Sequence, residues 1–211
     1  GDHLLIEALR LVKRSGDSAL LSSLLDTISE IITAEALQLQ WRGSFEPDRQ
    51  VYLRVIRGKT AVLFRWGFEA GARLAGLSNE QVEALEQAGL ALGEAFQLID
   101  DLLDLAGDPN QTGKALFTDL REGKLTWPLI LASEKVSGFD EQVRACIAKD
   151  ATLDSQMMVV QTLHRCGALD ETRELAQAKV DEARALLRTL PDCQARTSLD
   201  LLARAVVERE N

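Results

Sequence analysis

The sequence predicts an all-α fold, a bundle of long helices packed on one another, and three observations lead there. Leu and Ala supply 36 and 26 of the 211 residues while aromatics make up 5% and prolines number four, a composition rich in helix formers and poor in strand formers. Apolar residues recur at three- and four-residue spacing through most of the chain. The segments so patterned are divided by Gly, Pro, Ser and Asn turn signals, with no strand-like alternation between them.

Each helix can be justified in order. Leu4, Leu5, Leu9 and Val12 carry the first, and Ser15-Gly16-Asp17 breaks and recaps the chain. Leu24, Leu25, Ile28, Ile31 and Ile32 carry the second to about Trp41, where Gly43 and Pro47 mark its exit. A long period then runs from about Asp48 to Leu74, interrupted by Gly58-Lys59-Thr60 and stopped at Gly76. Ser78 and Gln81 have capping-box spacing, and the helix behind them carries Val82, Leu85, Leu92 and Phe96 to about Ala106. Gly107-Asp108-Pro109-Asn110 reads as a turn. A polar, Gly-punctuated stretch leads to Trp127-Pro128, followed by an apolar helix to about Lys135 and three or four shorter helices. No repeat, linker or low-complexity segment divides the chain, so residues 1–211 read as one domain.

Composition also excludes function classes. With 24 basic and 33 acidic residues the formal charge is −9, and no basic stripe interleaves with aromatics, so nucleic acid would be repelled. Cys146, Cys166 and Cys193 share no metal-ligand spacing and only His3 and His164 accompany them, which leaves zinc and a disulfide framework without support and fits a reducing cytoplasmic setting. There is no transmembrane segment, because no run of 18 apolar residues occurs, and no basic-then-apolar signal layout.

The informative segment is Phe96-Gln97-Leu98-Ile99-Asp100-Asp101-Leu102-Leu103-Asp104. On a helix Asp100 and Asp104 lie four apart and Asp101 and Asp104 three apart, so three carboxylates project toward one neighbourhood with Gln97 a turn earlier. One reading is a solvated acidic face near a helix end. The other is a cation site: like charges repel and burial among Leu and Ile penalises them further, and magnesium, a hard ion taking carboxylate, water and phosphate oxygens, would compensate. Gly113-Lys114 and Gly123-Lys124 place two ammonium groups shortly after the turn, and Gly58-Lys59-Thr60 adds a third cation and a hydroxyl. Carboxylate-held metal with lysines nearby makes a diphosphate clamp.

These residues resemble the trans-isoprenyl diphosphate synthase (polyprenyl synthetase) family. Phe96-Gln97, Asp100-Asp101-x-x-Asp104, Gly113-Lys114, Asp119, Gly123-Lys124, Thr126 and Pro128 look like its second aspartate-rich motif and tail. Further likeness lies in Gly1-Asp2-x-Leu4-Leu5, in Glu35 with Gln38, in Tyr52 followed by Gly58-Lys59-Thr60-Ala61, and in Val206-Val207-Glu208-Arg209.

The resemblance implies long antiparallel helices around a central cavity, the isoprenoid synthase-like fold, and a prenyltransferase that joins an allylic diphosphate to isopentenyl diphosphate and releases diphosphate. It implies that Asp100, Asp101 and Asp104 hold Mg2+, with Asp100 the direct ligand; that Lys59, Thr60, Gln97, Lys114 and Lys124 contact the allylic substrate's diphosphate or its surroundings; and that Phe96 lies beside the homoallylic substrate. Lys59, Asp100 and Lys114 would be the catalytic set. The family's first aspartate-rich motif and isopentenyl-binding basic residues precede the Gly-Asp pair at which this sequence opens, so the chain matches the C-terminal two-thirds of a family member. A homodimer through long helices is implied, with the spacings Gly67 to Gly71 or Gly89 to Gly93 available for close approach. A non-catalytic or regulatory subunit that keeps the fold is the alternative reading, and a helical interaction domain is a third.

Overall fold

A computed structural model of the protein describes residues 2–106, 116–148 and 152–209. Among these residues the secondary structure is helical throughout, with no strand. The helices are α1 (Asp2–Arg14), α2 (Ser18–Trp41), α3 (Arg49–Ile56), α4 (Val62–Leu74), α5 (Asn79–Ala106), α6 (Thr118–Arg121), α7 (Trp127–Lys135), α8 (Phe139–Ile147), α9 (Leu153–Arg165), α10 (Ala168–Leu187) and α11 (Gln194–Val207). Among the described residues four helices follow Lys135, and α10, at 20 residues, is not short.

The expected stop and start signals act as such. Asp17 accepts from the backbone N–H groups of Ala19 and Leu20 to cap α2, and Asp48 does the same for Gln50 and Val51 at the head of α3. Ser78 and Gln81 form a reciprocal capping box before α5. The expected turn at Gly107-Asp108-Pro109-Asn110 lies outside the described residues.

The long period over 48–74 is two helices joined by a π-helical stretch, Arg57–Ala61. The sequence marks this place through Gly58-Lys59-Thr60, and the structure supplies a reason for the glycine. A Cβ at Gly58 would sit 2.7 Å from Cβ of Ala34 on α2, and one at Gly93 of α5 would sit 2.4 Å from Cα of Ala61. The π stretch is therefore squeezed between α2 and α5 at two points where only hydrogen fits.

Central α5 packs most extensively against α4 and α10. Its first half joins Val82, Leu85 and Leu92 to Val180 and Leu187 of α10 and Val206 of α11. Its second half joins Leu98, Ile99, Leu102 and Leu105 to Leu129 and Ile130 of α7, Phe139 of α8 and Leu163 of α9. Each such aliphatic side chain contributes about 1.5–3 kcal/mol when fully buried. This double anchorage fixes the rotation of α5 and so determines where its polar residues point.

Of the glycines considered for contacts between subunits, Gly89 and Gly93 are used within the chain, against Phe64 and Ala61. Gly67 and Gly71, on α4, have open space where a side chain would be.

Candidate functional site

A cavity of about 250 Å³ opens between α2, α3, the π stretch, α5 and the loops 42–48 and 122–126. Val51, Val55, Ile56 and Ile130 make its apolar wall, while Asp100, Asp101, Asp119, Lys59, Lys124, Thr60 and Gln97 make its polar one. Elements distant in sequence thus bring carboxylates and ammonium groups to one space.

Asp101 is 2% exposed and held from three directions. Tyr52 Oη donates to its Oδ2 at 2.6 Å, the Trp127 backbone N–H to Oδ2 at 3.3 Å, and Gln97 Nε2 to Oδ1 at 3.1 Å. Burial pushes its carboxyl up to about 7, and these bonds together keep it from rising further, against the neighbouring Asp119. Tyr52 is itself buried and raised well above the ordinary phenol range, by desolvation first and by Asp101 next. Its ring lies 5.3 Å from that of Trp127, over which Arg49 also sits, and Arg49 bonds Glu134, so α3 and α7 are clamped behind the carboxylate.

The π stretch presents Lys59 and Thr60 to the same space. Thr60 Oγ1 donates to Gln97 Oε1 at 3.0 Å, which makes a relay of Thr60, Gln97 and Asp101. Lys59 Nζ donates to Gln38 at 2.8 Å and lies 3.9 Å from Glu35. On the other side Lys124 Nζ bonds Asp119 at 2.8 Å and Glu122 at 2.7 Å; burial draws its pKa down, but those two partners outweigh it and the net shift is upward. The two loops at the mouth are joined through Gly43 N–H, which donates to the Gly123 carbonyl at 2.7 Å, and through Arg42, which donates to the Glu122 carbonyl.

The expected site residues are thus distributed unequally. Asp100, Asp101, Lys59, Thr60, Gln97 and Lys124 all line the cavity. Asp104, expected beside the first two, does not line it: its oxygens accept the backbone N–H groups of Thr118 at 2.9 Å and Asp119 at 3.2 Å, and its carbonyl accepts from Phe117. Burial raises its pKa, as does the Asp119 carboxylate, while those N–H bonds act in the opposite direction. Its carboxylate is engaged in fixing the start of α6, which sets Asp119 at the cavity wall. Phe96 is also elsewhere, 5.4 Å from the ring of Phe64 with the Arg209 guanidinium over its face at 4.5 Å. Lys114 lies outside the described residues.

Two contributors were not singled out by the sequence: Tyr52 stood there only as part of the family resemblance, and Trp127 only as the residue before Pro128 at the start of an apolar helix. No local signal ties Tyr52 to a carboxylate 49 residues away.

Among the described residues no three carboxylate, His or Cys side chains converge closely enough to enclose a cation alone. Magnesium does not need such a cage, since it keeps several waters and takes one or two carboxylates plus substrate phosphate oxygens. Asp100 and Asp101 on one wall, facing a space that also holds Lys59 and Lys124, fit that mode.

The polyprenyl synthetase family profile matches residues 1–163. The octaprenyl diphosphate synthase of Escherichia coli is 35% identical over 213 residues, and the geranylgeranyl diphosphate synthase of Methanosarcina mazei 33% over 216; each comparison takes in 100% of this chain. Among solved structures, a polyprenyl synthase from Caulobacter crescentus, complexed with calcium and isoprenyl diphosphate, superposes with a TM-score of 0.91 at 35% identity. A decaprenyl diphosphate synthase from Rhodobacter capsulatus gives 0.88, also at 35%. In both cases 100% of this chain is covered. The chain spans 65% of the length of each of these four relatives.

Proposed function

We propose that this chain, which belongs to the polyprenyl synthetase family, is a prenyltransferase that condenses an allylic diphosphate with isopentenyl diphosphate and releases diphosphate. The observation that carries the reading is the single cavity in which Asp100, Asp101 and Asp119 meet Lys59 and Lys124 beside an apolar wall. The names of the relatives, diphosphate synthases of several chain lengths, support it.

The reaction needs leaving-group activation rather than a protein nucleophile. Mg2+, held by Asp100 and Asp101, would supply positive charge against the diphosphate. Lys59 and Lys124 bind and neutralise the same group, so that the allylic C–O bond ionises. Thr60 and Gln97 orient it through the relay that ends on Asp101. The double bond of the second substrate captures the cation, a proton passes from the new cation to the released diphosphate, and Val51, Val55, Ile56 and Ile130 keep water away meanwhile. Lys114 belongs to the same proposal as a further diphosphate contact, Phe96 as a neighbour of the homoallylic substrate, and Asp104 as the residue that seats Asp119.

A homodimer is part of the reading. Leu25, Ile32 and Leu39 recur every seven residues on α2 and are exposed, as are Leu4 and Leu11 on α1. A cytoplasmic setting is another part, in keeping with three free cysteines; no helix among the described residues is long and apolar enough to cross a membrane. Calorimetric titration of the full native protein with a non-ionisable allylic diphosphate analogue and Mg2+, run beside a diphosphate-release assay, tests the activity. Asp100→Ala should lower turnover by orders of magnitude, and absence of both binding and turnover would defeat the assignment. Sedimentation as a monomer at micromolar concentration would rule out the dimer.

A further inference from the structure

Thr126 stands at the cap position of α7 on the cavity wall, and its hydroxyl oxygen has no hydrogen-bond partner although the residue is 5% exposed. A threonine at this position ordinarily accepts from the second or third N–H of its helix. Here Pro128 occupies the second place and has no N–H, and Thr126 makes no capping bond. The first N–H of α7, that of Trp127, is taken by Asp101. A buried hydroxyl without a partner is unfavourable and rare, and it calls for a group that the free protein lacks.

We propose that Thr126 is a further substrate-binding residue whose hydroxyl donates to a diphosphate oxygen. The inference rests on the diphosphate reading of the cavity and adds a contact to it. Lys124, two residues earlier, and Asp101, bonded to the next residue, bracket Thr126 with the cation and the carboxylate of the same pocket. The hydroxyl oxygen is shielded in the free protein, so the contact requires a turn about χ1 to another staggered position that presents the hydroxyl to the cavity. The free protein thus carries an unfavourable buried group that becomes favourable on binding, a trade of stability for affinity.

The test compares the full native protein with Thr126→Val, which removes only the hydroxyl, and Thr126→Ser, which keeps it. Inorganic diphosphate with Mg2+ is titrated by calorimetry, and melting is followed without ligand. The valine variant should bind about tenfold more weakly, the loss of a hydrogen bond to a charged group, and should melt no lower than wild type; the serine variant should bind nearly as wild type does. Equal affinity of the valine and serine variants, or a lower melting temperature for valine that reveals an internal partner, would overturn the inference. If wild type itself takes up no diphosphate, the reading of the cavity fails and this contact with it. If wild type binds and the valine variant matches it, the contact alone fails.

Discussion

The phenol of Tyr52 on α3 donates a 2.6 Å hydrogen bond to the carboxylate of Asp101 on α5, and both groups are buried. The bond joins the two walls of the cavity and opposes the rise in the Asp101 pKa that burial causes. Its energetic sign can be read from the pH dependence of folding.

Asp101 titrates near 7 when folded and near the ordinary 3.8 when unfolded. Between those values the folded state holds a proton that the unfolded state has released, so stability falls as pH rises through this window and levels off above about 7. Urea unfolding in chelator from pH 4 to 8 should show a weaker decline for Asp101→Asn than for wild type. In Tyr52→Phe, with a bond that favours the ionised form removed, the decline should continue to higher pH. Identical slopes in wild type and Asp101→Asn would contradict the buried titration.

Gly93→Ala should destabilise by about 1–3 kcal/mol, the range for overpacking a filled interior, because the new methyl would meet backbone at Ala61 rather than a flexible side chain. Diphosphate affinity should drop as well, since the π stretch and Gln97 are pushed apart. Gly67→Ala, with nothing nearby, serves as the control in the same denaturation series.

Glu94 is 2% exposed and bonded by Arg57, with Lys179 Nζ 3.0 Å from its other oxygen. Removing the charge and removing its partners should differ sharply. Glu94→Gln leaves two cations that reach water, whereas Arg57→Ala with Lys179→Met strands a buried carboxylate and should lower stability by about 3–5 kcal/mol. Comparing the two by chemical denaturation at neutral pH checks this, and a double variant no worse than Glu94→Gln would refute it.

Lys59→Met should weaken binding of an allylic diphosphate analogue by about ten- to hundredfold, as expected when a charged donor is lost. Gln38→Ala should weaken it less, because Gln38 carries no charge and acts on the ligand through Lys59, whose ammonium it accepts from at 2.8 Å. Calorimetry on both variants distinguishes a direct contact from a surface lysine.

The helices were legible because α5 and its neighbours carry strict periodic patterns and their starts carry caps such as Asp17, Asp48 and Ser78. The carboxylates of α5 were legible for the same reason, since helical spacing fixes their common side. Which of them faces the cavity was not. Asp104 is drawn aside by two backbone N–H groups at the start of α6, a four-residue helix that no local pattern specifies, and Phe117 before it adopts a left-handed φ of 61° that a sequence gives no reason to expect. The Tyr52 bond and the Thr60–Gln97 relay likewise arise only once α3 and the π stretch have been placed against α5.

A π turn takes up one residue more than an α turn, so everything beyond Ala61 is rotated by about 100° from where an unbroken helix would carry it. The apolar stripes of α3 and α4 are accordingly out of phase, and averaging over 48–74 as a single helix blurs two sharp signals into one. Deleting one residue at Arg57–Ala61 would restore the α phase and swing the buried edge of α4 away from α5, so that a small lesion at this point would act along the whole helix. Register, as much as side-chain identity, is what the Gly58-Lys59-Thr60 segment has to keep for its lysine and hydroxyl to meet the cavity.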